Sequence, residues 1–173
     1  FVSKLMRQAG YVFLRKGDSS NNMELRTNYI KTFDRSEYDK FSVFLFKDGT
    51  QIDCSAGRII YSSPYSHWMY ETAAHNAIVV NGMNEADVDG VLASFDPNPT
   101  SPSAAVSTNP DNPFYPGVNQ TRGIALIRNA YIVFDIIKAN NDVVIDRYQQ
   151  GIGNLTCDLA TSPISNDPAS IPE

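Results

Sequence analysis

The chain has 173 residues, of which 42% are hydrophobic and 11% aromatic, with a formal net charge of −5. That length and apolar share fit one globular domain with a real core and exclude a disordered chain. No basic block suggests a surface that tracks phosphates, so a nucleic-acid partner is not expected. No apolar run approaches the roughly 20 residues of a membrane span.

Residues 2–9 have a helical look, and Gly10 would end such a helix. Strand signals dominate from there on. Short runs rich in β-branched and aromatic residues lie at Tyr11 to Leu14, Phe41 to Phe46, Thr50 to Asp53, Arg58 to Tyr61 and Ala77 to Val80. They recur at Ile124 to Ile127, Tyr131 to Lys138 and Val143 to Tyr148. Turn chemistry separates them at Lys47-Asp48-Gly49, Asn81-Gly82, Arg128-Asn129 and Asn140-Asn141-Asp142. Gly123 to Ile127 and Tyr131 to Ile137 read as a hairpin. Asp96 to Pro116, interrupted repeatedly by proline, reads as a long irregular loop. Many short strands without helical periods between them predict an all-β fold, an antiparallel sandwich or barrel. Residues 1–160 form the expected domain. Residues 161–173, with Pro163, Pro168 and Pro172, read as a linker or tail.

Two histidines, His67 and His75, are the only ones in the chain; His67 sits within the aromatic-rich segment Tyr61 to Tyr70 and His75 just after it. So scarce a titratable group, where a polar loop meets a strand, is where chemistry is sought first. Cys54 and Cys157 permit one disulfide without demanding it, and buried free thiols are the simpler reading. The chain opens with Phe1, which suggests a fragment or a processed product.

Five segments carry a resemblance: Arg35-Ser36-Glu37-Tyr38-Asp39, Phe41 to Phe46, Asp53-Cys54-Ser55-Ala56-Gly57, Tyr61 to Tyr70, and Thr72-Ala73-Ala74-His75-Asn76. In this order they resemble the β-sandwich of the heparinase II/III-like polysaccharide lyases, which includes the oligoalginate lyases. That family carries His-x-His-x-Asp, a strand, Asp-x-Gly, a Tyr-rich loop, and Thr-Ala-His-Asn before an apolar strand. The resemblance implies an antiparallel, supersandwich-like β-sandwich. It implies an exported bacterial protein, periplasmic or secreted, that acts on an acidic polysaccharide or oligosaccharide by β-elimination. It also implies a preceding α/α-toroid domain of the same protein, which brings other catalytic groups. This chain has no helical segment able to form one, so it is expected to be inactive alone.

The family's single zinc-like ion would fall to Glu37, Asp53 and His75. A borderline cation accepts imidazole and carboxylate together. Glu37 stands where the family has His. It either favours a harder ion such as Ca²⁺ or Mn²⁺, or marks a site that has lost its metal. Each residue also has a plain structural reading: Asp53 capping a turn, His75 as a satisfied core histidine fixed by Asn76, Glu37 as a solvated charge. Arg35 replaces the His that would approach the substrate. It cannot act as a base near neutral pH, yet it can grip a carboxylate through two hydrogen bonds. Tyr61 and Tyr65 fall in the loop that lines the sugar cleft of relatives, where a phenol serves as acid or base or stacks on a ring. The rival to this reading is a non-catalytic carbohydrate-binding or scaffold sandwich.

Overall fold

The computed structural model describes residues 1–30, 37–53, 60 and 62–151. Arg35, Tyr61, Cys54, Cys157 and the Pro-rich tail lie outside them, as does most of the strand expected from Arg58.

Eleven strands make up the described fold. In chain order they are β1 (Lys4–Met6), β2 (Tyr11–Gly17), β3 (Asn22–Asn28), β4 (Val43–Lys47), β5 (Thr50–Asp53) and β6 (Ile78–Val80). Then come β7 (Gly90–Asp96), β8 (Ser103–Thr108), β9 (Val118–Ile127), β10 (Ala130–Ala139) and β11 (Ile145–Arg147). Strands β1 to β5 form one sheet in sequential order, β10-β9-β8-β7 a second, and β11-β6 a third, with every pairing antiparallel. Among the described residues there is no α-helix; Trp68–Tyr70 and Thr72–Ala74 are single 3-10 turns.

The period-2 alternation of β2, β3 and β4 turns Val12, Leu14, Met23, Leu25, Val43 and Leu45 inward. They meet Ala104, Val106, Ile124 and Leu126 from β8 and β9 in one core. This is the packing of a β-sandwich, and Phe114 and Tyr115 join the same core. Asp48-Gly49 turns β4 into β5 with both residues at positive φ (49° and 77°). Asn81-Gly82 turns the same way after β6 (53° and 68°), as their composition led one to expect. The β9–β10 hairpin runs in unbroken register from Ala130↔Ile127 to Ala139↔Val118.

Two sequence expectations are corrected. The segment expected to be helical contains β1, because Lys4-Leu5-Met6 finds a partner strand in Met6↔Tyr11 to Lys4↔Phe13. The long loop Asp96 to Pro116 contains β8, whose Ala104, Val106 and Thr108 alternate into the core.

Phe41 carries φ +63°, a left-handed backbone that a bulky side chain adopts only under constraint. Its N–H donates to the Asn28 carbonyl (2.9 Å), and its carbonyl accepts from Arg122 Nη1 (2.8 Å). Its ring packs on Phe114 at 4.8 Å. The 37–40 loop therefore enters β4 in a fixed direction.

Candidate functional site

The end of β5, the entry to β6 and the segment after β11 meet at Asp53. Its Oδ1 accepts from Asn76 Nδ2 (2.7 Å). Its Oδ2 accepts from the Tyr131 hydroxyl (3.1 Å) and from Gln149 Nε2 (2.5 Å). Burial raises the Asp53 carboxyl above the usual range, and the three donors pull the other way. Burial together with the Asp53 charge pushes the Tyr131 phenol to about 12, so it acts here as a donor and not as a base.

Asn76 is the hub of this cluster. Its Nδ2 also donates to the Val43 carbonyl (2.9 Å), and its Oδ1 accepts from the Gln150 N–H (2.5 Å). Arg122 extends the network through the sandwich: Nε and Nη2 clasp Asp135 at 2.8 and 2.9 Å, and Nη1 reaches the Asn76 carbonyl at 2.5 Å. Both Arg122 and Asn76 are buried.

His75, next in sequence, is 1% exposed. Neither ring nitrogen has a hydrogen-bond partner among the described residues. Burial lowers its pKa to about 4, against the opposing charge of Glu37, so the imidazole is neutral at physiological pH. Among the described residues it lacks the partner that a satisfied core histidine would have, because Asn76 spends its side chain elsewhere. The Glu37 segment is tied to the aromatic loop by the Tyr38 N–H, which donates to the Tyr70 carbonyl (2.9 Å). Tyr65 is 40% exposed on that loop. His67 is exposed.

The structure thus joins Asp53 to the His75-Asn76 pair through Asn76, and places Glu37 within electrostatic reach of His75. Tyr65 stands in solvent. Among the described residues, no three His, Cys, Asp or Glu side chains are grouped so as to hold a metal ion. The Asp53 carboxylate already serves three protein donors. Glu37, Asp53 and His75, as arranged, do not fit a three-ligand site, although a neutral unpartnered His75 has the right form for a ligand.

Sequence reasoning missed Arg122, Asp135, Tyr131 and Gln149. The available signal was a charged residue at an inward position of a strand whose other inward positions, Val118, Gln120, Ile124 and Leu126, are uncharged. A second buried ion pair also escaped notice. Lys40 Nζ lies 3.0 Å from Glu85 Oε1, both 2% exposed, and burial pushes the Glu85 carboxyl up to about 7 against the pull of Lys40.

No family model and no curated protein sequence matches the chain. Solved structures do. A heparinase III aligns over 94% of this chain at TM-score 0.77 and 15% identity. The chain has the β-sandwich fold of the heparinase III lyases. The heparan sulfate lyase HepC from Pedobacter heparinus aligns over 80% at TM-score 0.69 and 19% identity, and a further heparinase III over 80% at 0.67 and 18%. This chain spans 22–25% of the length of those heparinase chains. No helix among the described residues is long and apolar enough to cross a membrane.

Proposed function

We propose that this heparinase-like sandwich belongs to a polysaccharide lyase that cleaves uronate-containing chains by β-elimination. The observation that carries the reading is the fold match over nearly the whole chain to heparinase III. In this reaction a base removes the proton α to the uronate carboxylate, and the electron pair forms the ring C=C bond. The glycosidic C–O bond breaks, and an acid protonates the leaving oxygen. Tyr61 and Tyr65 supply phenols for acid–base work from the aromatic loop, and Arg35 grips the carboxylate whose α-proton is lost. A preceding toroid domain contributes the remaining groups.

We read the metal site as lost. Glu37 in place of His and the full engagement of Asp53 support this, and no step of the reaction is routed through an ion. His75 and Asp53 then hold the floor beneath the loops and do not touch substrate. The protein is exported, to the periplasm or beyond, where such polymers are met.

The near-complete burial of His75 and Asp53 also favours the second reading, a non-catalytic carbohydrate-binding or scaffold sandwich. Mutants of the longer protein separate the two. Under the lyase reading, Tyr61→Phe and Arg35→Met each lower kcat/KM on a uronate polymer by on the order of 10²-fold without changing the melting temperature. Full activity in both would leave the chemistry to other domains and this sandwich as support.

A further inference from the structure

Two segments carry the groups assigned to chemistry: the one that runs from Arg35 toward β4, and the aromatic loop that ends at Tyr70. From Glu37 to Ser42 and from Ser62 to Ala74 the chain forms no strand, so no sheet ladder sets where these segments lie. The Tyr38 N–H joins them directly at the Tyr70 carbonyl (2.9 Å).

Glu85, on the connection between β6 and β7, touches both sides. Its Oε1 accepts from the Lys40 N–H (2.9 Å) and lies 3.0 Å from Lys40 Nζ. Its own N–H donates to Thr72 Oγ1 (2.9 Å), and the Thr72 N–H donates in return to Asn84 Oδ1 (2.9 Å). Thr72 opens the 3-10 turn that follows the aromatic loop. Lys40, Glu85 and Thr72 are all buried, and the Lys40 ammonium also lies 5.5 Å from the Phe114 ring centre.

A buried ion pair is a poor way to stabilise a fold. Its desolvation offsets its attraction, and apolar residues of similar volume often do as well or better. What this pair supplies, and an apolar pair would not, is direction. A single carboxyl oxygen fixes both the backbone and the side chain of residue 40, and the next residue, Phe41, is held at φ +63°. Direction matters where reacting groups are placed, because a displacement of about 1 Å can cost on the order of 10²-fold in rate.

We propose that Glu85 is a positioning residue: with Lys40 on one side and Thr72 on the other, it clamps the aromatic loop to the segment that follows Arg35, and so sets how the phenols stand relative to the guanidinium. The consequence for rate rests on the lyase reading; the clamp itself does not.

The test compares two double variants that both remove the buried charges and nearly keep the volume. Lys40→Met with Glu85→Gln keeps a side-chain oxygen to accept the residue-40 N–H, and Lys40→Met with Glu85→Leu removes it. Trp68, the only tryptophan of the chain, lies on the aromatic loop and reports its position. In this chain, acrylamide quenching of Trp68 should stay at the native level in the Gln pair and rise roughly twofold in the Leu pair, at a temperature where both are folded. In the longer protein acting on heparan sulfate or alginate, the Leu pair should lose on the order of tenfold to a hundredfold in kcat with little change in KM, and the Gln pair should recover most of it. Equal quenching in the two pairs overturns the clamp. Should the Leu pair not fold, amide hydrogen exchange in the native chain decides: the Tyr38, Lys40, Thr72 and Glu85 amides should open together as one unit, and a Lys40 amide that exchanges as a free loop amide overturns it. The expected Trp68 contrast in a longer protein without lyase activity would remove the lyase reading alone. A Leu pair that loosens Trp68 while the longer protein keeps its full kcat would remove the positioning role alone.

Discussion

Arg122 shows how one side chain decides whether a buried network stabilises or destabilises. Its guanidinium is 1% exposed and meets Asp135 with two hydrogen bonds, while two backbone carbonyls use the rest of the fork. Replacing it leaves Asp135 as a buried charge with only the Gln120 amide (3.0 Å) and the more distant, half-exposed Arg147 (3.9 Å) beside it. Arg122→Met should cost about 3–5 kcal/mol. Arg122→Met with Asp135→Leu should cost less than Arg122→Met alone, since both charges are then gone. Urea unfolding of the two variants measures this, and equal losses would contradict it. His75 makes a pH-dependent contribution. Its folded pKa of about 4 lies below the ordinary 6.5, so between these values the unfolded chain binds more protons than the folded one. Stability falls as pH drops through that window, by on the order of 3 kcal/mol from this group. The difference in unfolding free energy between the native protein and His75→Gln should narrow by that amount from pH 7 to pH 4. Parallel pH profiles would contradict the assignment. Glu85 has the opposite sign: with its carboxyl raised from 4.5 to about 7, its contribution is lost as pH rises through 7. For that reason the comparison is made within the His75 pair of proteins.

At the level of elements, two glycines differ in what surrounds them. A Cβ on Gly90 would lie 2.7 Å from the Phe41 ring and 3.0 Å from the Ser107 carbonyl. Phe41 is fixed at both backbone ends and packed on Phe114, so it cannot yield. A Cβ on Gly123 would meet the Phe134 ring at 2.1 Å, but that ring is 49% exposed and can swing outward. Gly90→Ala should therefore lose about 1–3 kcal/mol by overpacking, and Gly123→Ala markedly less. Equal shifts in melting temperature would contradict the distinction. The same contrast between local and distant information explains which elements were legible. The β9–β10 hairpin and the Asp48-Gly49 and Asn81-Gly82 turns could be read because their determinants are adjacent in sequence. Strand β3 was not seen, because Glu24 and Arg26 on the outer face masked the Met23, Leu25, Thr27 alternation. Strand β8 was hidden among prolines, with Ala and Ser doing the work of larger residues. The first residues look helical in isolation, and only β2, supplied by the fold, makes them a strand.

For the whole molecule, the candidate site was partly legible. Asp53 and His75-Asn76 were singled out from spacing and resemblance, and the fold does link them. Their partners Arg122, Tyr131 and Gln149 lie 46 to 96 residues away in sequence, and no local pattern ties them to Asn76 and Asp53. The proposal that the metal site is lost rests on those same partners, since they occupy the carboxylate that an ion would need. Calorimetric titration of the chain with Zn²⁺, and separately with Ca²⁺ or Mn²⁺, should give no stoichiometric binding. Tight one-to-one binding abolished by His75→Ala would restore the three-ligand site. The central claim concerns the polymer. The most direct measurement is the ultraviolet absorbance of unsaturated uronate, followed with heparan sulfate and alginate. The longer protein carrying this sandwich should generate it from one of these polymers, and residues 1–173 alone should generate none from either. Absorbance produced by this chain alone, or none produced from any uronate polymer by the longer protein, would contradict the account.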